Sequence, residues 1–119
     1  MGLVVRRATR EDIVAFSNIA TVPTVRARVG DLDGKIIAIG GLLRADGRWF
    51  AFLDLTDEAR RYKMTLMRTA KRMLAEAREQ GVRFIYAERD ENEPGAAAWL
   101  QSLGFEIDPR SEYFYRWKA

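Results

Sequence analysis

No cysteine and no histidine occur among the 119 residues, and only three are proline. Without cysteine the chain forms no disulfide, carries no thiolate nucleophile and cannot hold zinc or an iron–sulfur cluster through sulfur. Without histidine, Ser-His-Asp and Cys-His catalysis, the HExxH metalloprotease site and the zinc deaminases are excluded. A carboxylate-only site would remain, but no DxDxDG-type loop is present, so no metal site is expected. Long apolar runs are missing as well: none approaches the roughly 20 residues that span a bilayer. The N-terminal Met1-Gly2-Leu3-Val4-Val5-Arg6-Arg7 has neither the apolar stretch nor the cleavage site of a signal peptide. Arg6 and Arg7 stand where a myristoylation start would want Ser or Thr. These absences imply a cytoplasmic protein with no membrane partner.

What is present is ordinary globular composition, 48% hydrophobic and 31% charged, at a length that suits one domain over residues 1–119. Twenty Lys and Arg against seventeen Asp and Glu leave a net charge of +3. That excess is too small to argue for nucleic acid as a partner; local distribution matters more.

Leu3 to Ala8 reads as a strand. Thr9 caps a following helix, with Asp12 closing a capping box in which Glu or Gln is the usual partner. Ile13, Phe16 and Ile19-Ala20 hold helical spacing up to a break at Pro23. Val25 to Leu32 alternates as a half-buried strand, Asp31 to Lys35 supplies a hairpin turn, and Ile36 to Leu43 returns. After Asp46-Gly47, Trp49 to Leu55 forms the next strand, with Phe50, Phe52 and Asp54 on one face and Trp49, Ala51, Leu53 and Leu55 on the other. A charged loop, Thr56 to Arg61, precedes the longest helix, Tyr62 to Gln80, whose apolar stripe is Leu66, Ala70, Met73, Leu74 and Ala77. Gly81 ends it. Val82 to Ala87 is a strand, Asn92-Glu93-Pro94 opens a short helix stopped by Gly104, and Phe105–Ile107 and Tyr113–Trp117 are the last strands. This order predicts an α/β (α+β) fold: a mixed sheet of about six or seven strands flanked by three helices, antiparallel at first, with a parallel crossover through the long helix.

Six cations crowd into thirteen residues, Arg60, Arg61, Lys63, Arg68, Lys71 and Arg72, with no acid among them. Cations at a helix N-terminus oppose the helix dipole, so a bound polyanion would account for them. A solvated basic face, followed by Glu76 and Glu79, is the plain alternative. Arg26 and Arg28 point the same way from their strand, either flanking a substrate groove or protecting an exposed edge. The aromatic tail places Tyr113, Tyr115 and Trp117 on one face, as core packing or as a homodimer contact. Met64, Met67 and Met73 read as core or interface filler.

Gln80-Gly81-Val82 after a long amphipathic helix, then Leu100-Gln101-Ser102-Leu103-Gly104-Phe105 after a short one, resembles the GNAT family of N-acetyltransferases. The resemblance runs from Val4 to about Trp117, and the short chain is similar to reduced members carried by phage or prophage genomes. It implies an acyl-CoA N-acyltransferase fold and acetyl-CoA as co-substrate. In the family an Arg/Gln-x-x-Gly-x-Gly/Ala loop opens the long helix and holds the pyrophosphate. Counting back from Gly81 maps it to Arg61-Tyr62-Lys63-Met64-Thr65-Leu66, with Met64 and Leu66 in the glycine places. The resemblance further implies that the backbone N–H near Leu55 polarises the thioester carbonyl. Asp54 is the candidate general base for an attacking amine, small or on a protein, with Asp57 and Glu58 as runners-up. The family's acidic Tyr is replaced by Leu100, beside Trp99, and its frequent Asn corresponds to Glu93 or Asn92. The family's second helix has no counterpart, since only Thr21 to Thr24 intervene, which implies an open or partner-completed acceptor site. The filled glycines and the missing Tyr leave a second reading: a non-catalytic structural or protein-interaction module on the same fold.

Overall fold

A computed structural model describes residues 2–17, 25–88, 95–111 and 114–119. Seven strands and three α-helices follow one another as β1 (Leu3–Arg7), α1 (Arg10–Ser17), β2 (Val25–Leu32), β3 (Lys35–Ala45) and β4 (Arg48–Leu55), then a 3₁₀ helix (Asp57–Tyr62), α2 (Lys63–Glu79), β5 (Phe84–Glu88), α3 (Ala96–Ser102), β6 (Glu106–Ile107) and β7 (Phe114–Lys118). One sheet holds all seven strands in the order β1-β2-β3-β4-β5-β7-β6. Every neighbouring pair is antiparallel except β4 and β5, which α2 joins by a crossover. The mixed sheet expected from the sequence is thus present.

Local chemistry sets the boundaries. Thr9 Oγ1 accepts from the Asp12 N–H at 3.1 Å while Asp12 Oδ2 accepts from the Thr9 N–H at 2.8 Å, a reciprocal box at the start of α1. Arg6 adds a third partner, its Nη1 lying 2.8 Å from Asp12 Oδ2 and its Nε 3.4 Å from Asp31 Oδ2, so one guanidinium ties β1 to α1 and to the end of β2. Both hairpin turns are Asp-Gly pairs with positive φ, Asp33-Gly34 and Asp46-Gly47, the backbone that matches the twist of the flanking strands. Gly81 and Gly104 end α2 and α3 in the same way. In each helix the glycine N–H and the next residue's N–H return to carbonyls of the last turn, Gly81 to Arg78 and Val82 to Ala77, Gly104 to Gln101 and Phe105 to Leu100. This double bond needs the left-handed backbone that glycine adopts without strain, φ 87° and 96° here.

The sheet's two faces are unequally covered. Leu74 and Ala77 of α2 pack with Leu42, Ile85, Ala87, Phe105, Tyr115 and Trp117, and Ala97, Leu100 and Leu103 of α3 join the same cluster. A second cluster places Leu66 and Ala59 against Ile37 and Ala38, with Leu55, Tyr62 and Trp99 packed around it. On the opposite face, Ile13 of α1 packs with Ala27, Val29, Ile39 and Phe52.

Several expectations are corrected. Asp57–Tyr62 is a 3₁₀ helix rather than a loop, because Ala59 is fully buried and its N–H is held by the Thr56 carbonyl at 3.1 Å. Strand β1 pairs with β2 from Arg28 to Leu32, so Arg28 lies inside the sheet and guards no edge, while Arg26 lies beyond the last β1 pair. Met64 is 68% exposed and fills no core. Tyr115 and Trp117 are buried on one face of β7, as core packing requires. Ile19-Ala20, Thr21 to Thr24, Pro23, Asn92-Glu93-Pro94 and Tyr113 lie outside the described residues. Among the described residues no helix is long and apolar enough to cross a membrane.

Two stability outcomes follow from this frame. A Cβ on Gly41 would lie 2.0 Å from the Arg26 carbonyl oxygen and 2.7 Å from Ala27 Cα, both backbone. Gly41→Ala must therefore push β2 and β3 apart, and equilibrium urea unfolding should show a loss above about 2 kcal/mol. Asp12 is held down to about 2, from 3.8, by the Arg6 hydrogen bond first and the Thr9 backbone N–H second. A carboxyl whose pKa is depressed on folding stabilises fully above its unfolded pKa and loses that stabilisation as the pH falls through the folded value. The gap in urea midpoint between the parent and Asp12→Asn should be constant near neutral pH and close as the pH falls from about 4 towards 2. A gap that does not change with pH would mean that the Asp12 charge plays no part.

Candidate active site

Strands β4 and β5 share a register over only two pairs, Trp49↔Ile85 and Phe50↔Tyr86. Beyond Phe50 each follows its other neighbour: β4 stays paired with β3 as far as Ala38↔Leu55, and β5 stays paired with β7 along all five of its residues. The C-terminal halves of the two parallel strands therefore part. Thr56 N–H donates to the Ile37 carbonyl at 3.0 Å. Because donors alternate along an antiparallel ladder, the N–H groups of Leu53 and Leu55 point away from β3, into the opening.

A cavity of about 400 Å³ occupies this opening. Leu53, Leu55, Leu66, Met73, Trp99 and Leu100 make its apolar wall, with Thr69 of α2 as a hydroxyl on the same side. Thr69 Oγ1 is engaged with the Thr65 carbonyl at 3.0 Å. Its charged lining is mixed. Asp54 and Glu88 are exposed acids on the two strands that flank the opening, while Arg28, Arg60 and Lys63 supply positive charge. Strand alternation puts Asp54 on the face of Phe50 and Phe52, and Glu88 on the matching face of β5 with Tyr86. Both carboxylates thus look toward the α1 side. Arg28 is tethered to Glu76 of α2 at 3.6 Å, and Arg60 to Asp57 at 3.5 Å.

The start of α2 has no side chain hydrogen-bonded to it as a cap and no acid in its first turn. The six-cation run divides there. Arg60 and Lys63 reach the cavity wall, whereas Arg61, Arg68, Lys71 and Arg72 are exposed and take no part in it. Of the residues mapped to the phosphate loop, Lys63 and Leu66 line the cavity. Arg61, Tyr62, Met64 and Thr65 do not, and Tyr62 packs into the core beside Ala59. Of the two side chains in glycine places, Met64 faces solvent and only Leu66 stands at the wall. Asp54 and Leu55 both line the cavity; Asp57 and Glu58 do not, and Glu58 lies 3.9 Å from Lys35. Leu100 occupies the wall with no proton to give, and Trp99 stands beside it.

Two polar wall residues were not singled out in the sequence, Glu88 and Thr69, and Arg60 was named there only as part of the basic run. Glu88 was legible in principle, since Ile85 and Ala87 are the inward pair of β5 and the alternate residues must face the other way.

No protein-family model matches this sequence, and neither does any curated protein sequence. Solved structures do match over almost the whole chain. An acetyltransferase of the GNAT family from Staphylococcus aureus superposes with a TM-score of 0.71 at 12% identity, covering 98% of this chain and 99% of its own. The IAA acetyltransferase from Bacillus cereus gives 0.70 at 14%, covering 99% and 100%. A Bacillus subtilis acetyltransferase solved in complex with CoA gives 0.68 at 9%, covering 99% of each chain. At such identities the likeness is one of fold: over almost its whole length this chain has a GNAT-like α/β fold.

Proposed function

We propose that this chain is an acyl-CoA-dependent N-acyltransferase, with acetyl-CoA as co-substrate and an amine as acceptor. The observation that carries the reading is the cavity between the parted strands, which combines backbone donors directed away from β3, cationic side chains and carboxylates. Acetyl-CoA would supply an activated thioester. Arg60 and Lys63, beside an uncapped helix start, suit its phosphates. The N–H of Leu55 is directed where charge develops on the thioester oxygen during attack. Asp54 faces the α1 side, from which an amine would approach, and it takes the proton directly or through one water. With no cysteine thiol and no histidine to activate a hydroxyl, direct transfer within a ternary complex is the simpler route. Glu88, across the opening from Asp54, adds negative charge that favours a cationic amine over an anionic acceptor.

Residues Arg61 to Leu66 are the segment mapped to the phosphates; the cavity lining supports Lys63 within it, and Arg60 just before it, as the cations that would meet them. The non-catalytic reading draws on Leu100, which gives a departing thiolate no proton. Thiolates leave readily near neutral pH, so this weakens catalysis without abolishing it.

Calorimetric titration with acetyl-CoA, with ATP and desulfo-CoA as controls, decides between the two. Micromolar binding selective for the coenzyme is expected, and no heat at millimolar ligand leaves the non-catalytic module. Arg60→Gln and Lys63→Gln should each weaken binding about tenfold, the usual cost of removing a charge-assisted hydrogen bond. Arg61→Gln should stay within about twofold, since its side chain is off the wall. With an amine acceptor in hand, Asp54→Asn should lower kcat by about 10²-fold or more while leaving acetyl-CoA affinity unchanged. An undiminished kcat removes Asp54 as the base.

A further inference from the structure

Arg26, Arg44, Arg48 and Arg83 are scattered along the sequence, yet the sheet gathers them at one end. They sit near the start of β2, near the end of β3, at the start of β4 and just before β5. Because β4 and β5 run parallel away from this end, it is the one opposite the active-site opening. The four line a groove of about 440 Å³ together with Trp49, Gln80 and Tyr86, and no carboxylate lines it among the described residues.

These four differ from the arginines that are tied to acids. Arg6, Arg28 and Arg110 each lie within 4 Å of an acid. Among the described residues, Arg26, Arg44, Arg48 and Arg83 have no carboxylate partner, and all four are exposed. Three of them lie over aromatic rings. The guanidinium carbons of Arg26 and Arg44 are 4.9 and 5.4 Å from the Trp49 ring centre, and that of Arg48 is 5.5 Å from Tyr86. Arg26 also donates to Gln80 Oε1. Trp49 belongs to the α2 face of the sheet and Tyr86 to the α1 face, so the groove wraps the sheet's end.

The same pattern continues beyond the groove. Arg78 lies over Trp117 at 5.4 Å, Arg116 lies over the 39% exposed Phe84 at 5.4 Å, and Lys118 follows. A guanidinium resting on a ring keeps its in-plane N–H donors for an anion and offers its second face for stacking. Like charges gathered without acids repel one another, and a polyanion relieves that repulsion. A single phosphate needs one such cation, or two. A line of them alternating with aromatic rings matches a chain of phosphates carrying flat bases. An acidic peptide would satisfy the charges and leave the stacking faces unused.

We propose that this end of the molecule binds single-stranded nucleic acid, with phosphates on Arg26, Arg44, Arg48 and Arg83 and bases stacked on the arginine and aromatic faces. The proposal stands on this groove alone and does not depend on the acyltransfer reading.

Fluorescence anisotropy of the full chain with labelled oligo-U RNA and oligo-dT of roughly 20 nucleotides, at physiological salt, tests it. Both strands should bind, and a preference for one identifies the sugar that the groove favours. The triple variant Arg44→Gln, Arg48→Gln, Arg83→Gln should weaken binding at least tenfold. It should also flatten the log–log salt slope by about 2, since each phosphate left unneutralised takes about 0.7 from it. The triple variant Arg68→Gln, Lys71→Gln, Arg72→Gln removes equal charge from the exposed side of α2 and should change affinity by less than about threefold. Should the first triple variant fail to fold, Arg48→Gln alone reads out the same loss on a smaller scale, about two- to fivefold. Absence of binding by the parent chain, equal losses in the two triple variants, or readier displacement by polyglutamate than by unlabelled strand would each overturn the proposal.

Discussion

Everything at the candidate active site depends on two strands that belong to different partners. Strand β4 is committed to β3 through eight register pairs, and β5 is committed to β7 through five. Between them only two pairs hold. Both outer ladders run to the ends of their strands while the middle one stops after two pairs, so the middle one opens. Opening it exposes the N–H groups of Leu53 and Leu55, sets Asp54 and Glu88 on opposite banks, and leaves a space that α2 and α3 roof without filling. The direction of β4 matters too, because β4 ends at the opening and α2, which follows it, therefore starts there. Cations at the start of α2 therefore meet carboxylates at the ends of the strands by topology alone.

The modest net charge conceals two electrically distinct ends. At the opening, acids and bases are interleaved: Asp54, Glu88, Arg28, Arg60 and Lys63. At the other end the groove carries four arginines and, among the described residues, no acid. Strand β4 spans both, and eight residues at about 3.3 Å each separate its ends by more than 20 Å. Charges exposed to solvent are screened over about 8 Å at physiological salt. A ligand at one end thus feels little of the field at the other, and the two surfaces can be altered independently.

The sequence was most legible where the backbone needs punctuation. Thr9 and Asp12 announced the start of α1, and both Asp-Gly turns fell where expected. Gly81 and Gly104, which carried the family resemblance, are helix stops whose following residues, Val82 and Phe105, drop into the core. That explains why the resemblance spoke for the fold and said little of the chemistry, since a helix stop is the same in an enzyme and in a scaffold. Legibility ended at the start of α2. Counting back along a helix from Gly81 gave Arg61 as the first phosphate cation, but the preceding segment winds as a 3₁₀ helix. There each residue turns the chain by about 120°, so Arg60 faces the cavity and Arg61 faces solvent. Neither periodicity nor composition distinguishes a tight turn from a loop at this point. The groove at the far end was illegible for another reason: its four arginines come from four segments, and only the strand order β2-β3-β4-β5 brings them side by side.

The missing glycines at the start of α2 raise the question of what would compensate for them. Glycine at such a turn lets a phosphate approach the backbone closely. Here Met64 leans outward and Leu66 is buried against Ile37 and Ala38, so neither side chain stands over the helix start as a lid. For the coenzyme of the proposed function the approach would be longer on the Leu66 side, and the flexible, charged side chains of Arg60 and Lys63 would have to span that distance. The remaining affinity would come from the strands. An unpaired backbone donor in a cleft binds water when the cleft is empty. A ligand that lies extended along β4 and presents carbonyl groups to Leu53 and Leu55 replaces that water and completes the ladder that β5 abandons. Its binding then rests on strand pairing, a kind of interaction to which the side chains of the first turn of α2 contribute nothing. A chain can lose the glycines of its phosphate loop and retain this half of the site, because the parted strands are fixed by β3 and β7.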